Sequence, residues 1–258
     1  MNTSTARRQS LADLLRRSAL RFPDKPAIVC GATRWTYREF DRVCDRLAAG
    51  LQARGVAPGD RLAVLARNSH GFAALRFALA RIGAVLVPIN FMLKPDEAAY
   101  VLRHSGARLL AVDSGMAETG RAAAAQDTQV EQFIWLPSEQ PGAAPAGLLT
   151  FDELIAADDA PSDVAVGETD LAQIVYTSGT ESLPKGAMLT HGAVLAQYVS
   201  CIADGDMRGA DVVLHSLPLY HCAQLDCFLG PGVYQGATNV ITAAPTPATS
   251  CCPAARTT

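Results

Sequence analysis

No apolar run in this sequence reaches the roughly 18 uninterrupted residues of a membrane-spanning helix, although 49% of its 258 residues are hydrophobic. That apolar content is expected to fill a core, and the length suits one or two domains. Charge is scarce too: 18% of residues are charged and the formal net charge is −3. This excludes the basic footprint of a protein that binds nucleic acid or an anionic membrane surface. The stretch Met1 to Arg17 carries Arg7, Arg8, Arg16 and Arg17 but lacks the apolar run of a secretory leader, so the cytoplasm is the expected compartment. Internal repeats are absent. Seven cysteines (Cys30, Cys44, Cys201, Cys222, Cys227, Cys251 and Cys252) lack the paired spacing of a zinc site, and no metal ligands are expected. The first four lie in apolar surroundings and read as reduced core thiols. The last sixteen residues, Ala243 to Thr258, contain no Leu, Ile, Val, Met or aromatic residue. Such a segment cannot pack a core.

What is present alternates between two periods. Ser10 and Asp13 have the spacing of a capped helix start, and Leu11, Leu14 and Leu15 continue at helical intervals. Thr36 and Glu39 repeat the device before Phe40, Val43, Leu47, Ala48 and Leu51, and Gly55 predicts a stop. Buried strands are predicted at Arg61 to Ala66, Ala84 to Asn90 and Arg108 to Val112, with helices between them over 72–83 and from Pro95 to about His104. Strands alternating with helices point to an α/β fold with parallel-sheet layers flanked by helices. Ala122 to Ala165, broken by four prolines, reads as surface connection in which only Phe133 to Leu136 and Phe151 to Ile155 look ordered. Further on, a helix is expected over Gly192 to Ile202 with Ala193, Val194, Ala196, Val199 and Ile202 inward. A strand is expected over Asp211 to His221, a short helix over Ala223 to Leu229 closed by Gly230-Pro231-Gly232, and a last strand at Thr238 to Ile241.

The chain turns on one stretch, Leu171 to His191. A short apolar strand there ends in Thr177-Ser178-Gly179-Thr180-Glu181-Ser182-Leu183-Pro184-Lys185-Gly186. Hydroxyls and bare backbone N–H groups beside one lysine form a cradle for an anion, and phosphate is the natural occupant. A nucleotide P-loop would place Gly before the lysine and Ser or Thr after it. Pro184 and Gly186 occupy those positions.

The run closely resembles the phosphate loop of the AMP-forming acyl-CoA synthetases, the adenylate-forming superfamily that includes fatty-acid CoA ligases. Trp35-Thr36-Tyr37, Gly59-Asp60-Arg61 and Gly83-Ala84-Val85 resemble weaker parts of the same pattern. The resemblance covers about Ser10 to Ile241, roughly the first half of a family member. It implies the N-terminal, incomplete portion of the large adenylation domain over residues 1–242, followed by an unstructured tail at 243–258. Loss of the pattern after Thr242 suggests a truncated or frame-shifted reading of a longer gene. By resemblance, Thr177, Ser178, Gly179, Thr180, Glu181, Ser182 and Lys185 hold the β- and γ-phosphates of ATP. The matching His221 lies where carboxylate, ATP and acyl pocket meet, making Lys185 and His221 the expected catalytic pair. Leu217 to Pro231 resembles part of an acyl tunnel in the fatty-acid branch. The implied reaction uses ATP and Mg2+ to turn a carboxylic acid, expected to be a fatty acid, into an acyl-adenylate, which CoA then converts to a thioester. An aryl or other acid is the alternative substrate. The ribose, adenine and C-terminal lysine motifs of the family are not found here, so this chain alone is expected to be inactive. The competing expectation is a silent fragment that binds nucleotide or a partner. His70, His104, His191 and His215 read as structural.

Overall fold

A computed structural model describes residues 9–139, 142–156, 160–177 and 183–243. The first helix, α1 (Leu11–Arg21), starts on the expected reciprocal cap, with the Asp13 amide donating to the Ser10 hydroxyl and the Asp13 carboxylate accepting from the Ser10 amide. Strands β1 (Pro26–Cys30) and β2 (Thr33–Thr36) form a hairpin that runs into α2 (Tyr37–Ala53), capped the same way by Thr36 and Glu39. An alternating succession follows: β3 (Arg61–Leu65), α3 (His70–Arg81), β4 (Val85–Pro88), α4 (Pro95–Ser105), β5 (Leu109–Val112) and α5 (Ala117–Ala124). The proline-broken stretch is more than connection. It contributes β6 (Gln132–Trp135), β7 (Leu149–Thr150) and α6 (Phe151–Ile155), and β6 and β7 extend the sheet in parallel beyond β5.

The remaining elements are β8 (Leu171–Thr177), β9 (Lys185–Thr190), α7 (His191–Asp204), β10 (Val212–His215), a helical run over 222–235 and β11 (Thr238–Ile241). Two sheets result. The larger has the order β7-β6-β5-β3-β4-β8-β9 and is parallel except for the β8–β9 hairpin; the smaller has the order β10-β11-β1-β2. In β3 alternate side chains enter different cores. Leu62 and Val64 join α1, α2, α3 and the small sheet, whereas Ala63 and Leu65 join α4 and α5 on the other face. Helix α3 therefore lies between the sheets, and all twelve of its residues are buried. A helix buried all round must neutralise its charges internally. Arg76 does so with Asp226 at 3.0 Å, and Arg81 with Asp41 and Asp45.

Expectations for several elements are corrected. Helix α7 buries His191, Val194, Leu195 and Tyr198, while Ala193, Ala196 and Val199 are exposed and Ile202 is half-buried. Its inward face was misjudged because two polar residues there find partners: the Tyr198 hydroxyl lies 3.2 Å from Asp226, and the His191 Nδ1 accepts from the Leu11 amide at 3.3 Å. Second, Gly230-Pro231-Gly232 does not close a helix. A π-turn at Leu225–Leu229 leads straight into Gly230–Gln235, where Pro231 occupies the first turn, a place that tolerates its missing N–H. The helix ends instead at Gly236, whose φ of +82° is left-handed. Third, Cys201 and Cys222 are half-buried rather than core thiols, unlike Cys30 and Cys44. The strand expected over Asp211 to His221 is confined to β10. Ala243 alone of the C-terminal segment is described, its amide donating to the Glu139 carboxylate at 2.8 Å. Among the described residues no helix is long and apolar enough to cross a membrane.

Candidate functional site

Parallel α/β sheets bind ligands beyond the carboxyl ends of their strands, and β8 delivers its polar residues to that edge. Thr177 ends β8 and faces Lys185 across the hairpin register; its hydroxyl lies 3.4 Å from the Lys185 carbonyl. Both side chains are exposed. The Lys185 ammonium makes no ion pair among the described residues, so a cation and a hydroxyl stand side by side at the hairpin mouth. Ser178, Gly179, Thr180, Glu181 and Ser182, which the sequence nominates with them, lie outside the described residues. Gly186 is required by packing: a Cβ there would come within 2.8 Å of Ile174 and 3.1 Å of the Tyr176 ring.

The sequence did not nominate the residues that clamp this hairpin. Tyr100 and His104, one turn apart on α4, each take one arm. The Tyr100 hydroxyl donates to the Pro184 carbonyl at 3.1 Å, and His104 Nδ1 meets the Tyr176 hydroxyl at 2.7 Å. Burial, then the nearby Tyr100, pushes the Tyr176 hydroxyl up to about 12; it stays protonated and can donate to His104. The spacing of two aromatic side chains at i and i+4 was the available signal.

His221 reaches the same edge by a different route. Tyr220 packs edge-on against Phe91 at 5.2 Å, and Phe91 follows closely on the end of β4. Asn68, just beyond the end of β3 and 2% exposed, fixes the approach. Its amide donates to the Leu217 carbonyl at 2.8 Å and its oxygen accepts from the Leu219 amide at 2.7 Å. The exposed His221 caps the helical run that follows, its Nδ1 accepting from the Ala223 amide at 3.1 Å. A ring whose Nδ1 accepts carries its proton on Nε2 when neutral, so Nε2–H is free to donate to an incoming oxyanion. Leu219, Leu225 and Leu229, within the expected acyl tunnel, belong to the main core. Tyr220, Leu217 and Phe228 remain accessible.

Behind the edge lies a buried polar cluster that the sequence did not reveal. Asp226 accepts from Arg76 at 3.0 Å, from the Tyr198 hydroxyl at 3.2 Å and from the Gln173 amide at 2.6 Å. It ties α3, α7 and β8 to the π-turn. Of the histidines read as structural, His104 is exposed on α4, whereas His70 and His215 are buried. His215 lies between Asn239 at 3.0 Å and Gln224 at 2.5 Å, and His70 packs on Trp35 at 5.1 Å. Among the described residues no group of three His, Cys, Asp or Glu could hold a metal ion.

Comparison with known proteins bears on what this edge belongs to. A family model described as "AMP-binding enzyme" matches residues 15–256. The feruloyl-CoA synthase of Amycolatopsis sp. is 37% identical over 235 residues, covering 91% of this chain and 44% of the relative. The long-chain-fatty-acid–CoA ligase of Thermus thermophilus is 34% identical over 218 residues, covering 82% and 39%. The chain thus spans about two fifths of the length of these curated relatives. The solved structure of a Mycobacterium tuberculosis fatty acyl CoA synthetase superposes with a TM-score of 0.79 at 30% identity, over 92% of this chain and 45% of that one. A family match over most of the chain, on a fold shared with the N-terminal part of such enzymes, has one reading: the chain belongs to the AMP-binding, adenylate-forming enzyme family.

Proposed function

We propose that this chain forms the phosphate-binding and acyl-facing part of an acid–thiol ligase. In that reaction ATP and a carboxylic acid give an acyl-adenylate and pyrophosphate, and the CoA thiol then displaces AMP. The observation that carries the reading is the exposed Lys185 cation beside the Thr177 hydroxyl at the mouth of a clamped hairpin, on the ligand-binding edge of a parallel sheet. Lys185 is a point charge suited to phosphate, and Ser178 to Ser182 complete the cradle. The Nε2–H of His221 faces the carboxylate oxygen. Stabilising charge that builds on the transferring phosphoryl group is the main task of such a site. Mg2+ arrives with the nucleotide, its usual mode where carboxylate ligands are few.

The acid carries an apolar tail, a fatty acid in the first reading, with Leu217, Tyr220 and Phe228 as its nearest accessible apolar surface. A second reading, an aromatic acid, is favoured by the 37% identity to the feruloyl-CoA synthase and by the Phe91–Tyr220 ring pair. The 258 residues alone bind nucleotide without completing ligation, because positioning of all the reacting groups, not phosphate contact by itself, produces rate. Calorimetric titration of the chain with Mg-ATP, alone and with decanoate or ferulate, tests this. Lys185→Ala is expected to weaken ATP binding by about tenfold or more, roughly 1.4 kcal/mol. The acid that tightens ATP binding identifies the substrate class. ATP affinity unchanged in Lys185→Ala would sink the assignment.

A further inference from the structure

Two cysteines outside the proposed nucleotide site lie together. Cys201 is in the last turn of α7 and Cys227 is in the π-turn Leu225–Leu229; both are half-buried. Both line one groove of about 820 Å3 between α7, the π-turn and the edge strand β10. Gln197, one helical turn before Cys201, donates its amide to the Cys227 sulfur at 3.1 Å. Gln197 and Cys201, four residues apart, share one face of α7, so the face that meets Cys227 also carries Cys201, and the groove that both cysteines line gives a small reagent access. Cys30 and Cys44, by contrast, are buried at 1% and 0% exposure, beyond such access.

We propose that Cys201 and Cys227 are a redox-active pair that closes reversibly into an intramolecular disulfide. With a low-molecular-weight disulfide RSSR as oxidant, one Cys thiolate attacks a sulfur of RSSR and releases RSH, leaving a mixed disulfide. The second thiol loses its proton, attacks the protein sulfur of that mixed disulfide and releases the second RSH. Two protein thiols are oxidised to one disulfide while RSSR is reduced to two RSH. Burial, then the adjoining Cys227 thiol, raises the Cys201 thiol above its ordinary range. Closure is therefore slow, on the seconds-to-hours scale of thiol exchange.

The consequence is positional. Helix α7 continues directly from β9, which begins at Lys185, and the π-turn lies four residues beyond His221. A bond between Cys201 and Cys227 joins the two segments that carry these side chains, and it fastens the turn that holds Asp226.

The test uses the full chain with Cys251→Ser and Cys252→Ser, reduced and then exposed to oxidised glutathione for several hours. Free thiols are alkylated and counted by intact mass, and peptide mapping locates any crosslink. The expected result is two thiols lost without retained glutathione, a Cys201–Cys227 peptide pair, and reversal by dithiothreitol. Cys201→Ala and Cys227→Ala each abolish the crosslink, while Cys222→Ala retains it. Stable glutathione adducts on Cys201 or Cys227, a Cys222–Cys227 bond, or five described cysteines that all stay alkylatable overturn the proposal. The unsubstituted Cys201–Cys227 chain decides the matter even where an alanine variant folds poorly.

Discussion

Acid should unfold this protein well before its carboxylates titrate. His70, His191 and His215 are each pushed down by burial from 6.5 to about 4. For His191 the nearby Arg76 adds to the effect, and the Leu11 amide, a backbone donor that cannot turn away, points at Nδ1. All three rings are neutral in the folded chain and ordinary in the unfolded one. Unfolding therefore takes up protons between about pH 4 and 6.5, and stability is complete above 6.5 and lost as pH falls through that window. A drop from 6.5 to about 4 corresponds to about 3 kcal/mol per ring. Half of the sum over three rings, about 5 kcal/mol, already equals the whole stability of many small domains. Urea unfolding followed by the emission of Trp35 and Trp135 at a series of pH values measures this. The midpoint should fall steeply from about pH 6.5 to 5. His70→Phe keeps the aromatic packing against Trp35 and Phe151 and removes one titrating ring, so about one third of the acid dependence should disappear. A midpoint flat over that range, or a full dependence in His70→Phe, refutes the reasoning.

Two further perturbations probe the buried polar contacts. Asp226→Ala strands the Arg76 guanidinium, 2% exposed, and should cost about 3–5 kcal/mol; Arg76→Met combined with Asp226→Leu should cost less than Asp226→Ala alone, as denaturant melts of the three chains will show. Asn68→Ala leaves the buried Leu219 amide without its acceptor and should cost about 1–3 kcal/mol. Hydrogen exchange should quicken selectively over residues 216–222, and unchanged protection there would mean that Asn68 does not hold the His221 segment.

Local signals carried the fold further than long-range ones. The caps at Ser10 and Thr36 depend on residues three apart, so α1 and α2 were legible, as were the buried strands of the parallel sheet. Helix α7 was rotated because hydropathy cannot show that His191 meets an amide 180 positions away. The π-turn was invisible, since Gly-Pro-Gly ordinarily ends a helix and the partners of Asp226 on α3, α7 and β8 lie far from it in sequence. At the candidate site the polar hairpin residues stood out by composition. Tyr100, His104 and Asn68 did not, because their partners lie 84, 72 and 151 positions distant.

The small sheet carries a timing consequence. Its strand β1 lies between β2, its immediate successor, and β11; Asn239 donates to the Ala27 carbonyl across 212 positions of sequence. At ribosomal speeds of about 5–20 residues per second, the hairpin made first waits about 10–40 s for its neighbour. During that interval one edge of β1 is an open pairing template, to which a chaperone that shields extended strands can bind. Pairing so remote in sequence also makes for slow folding, and the arrival of β11 closes that edge of β1.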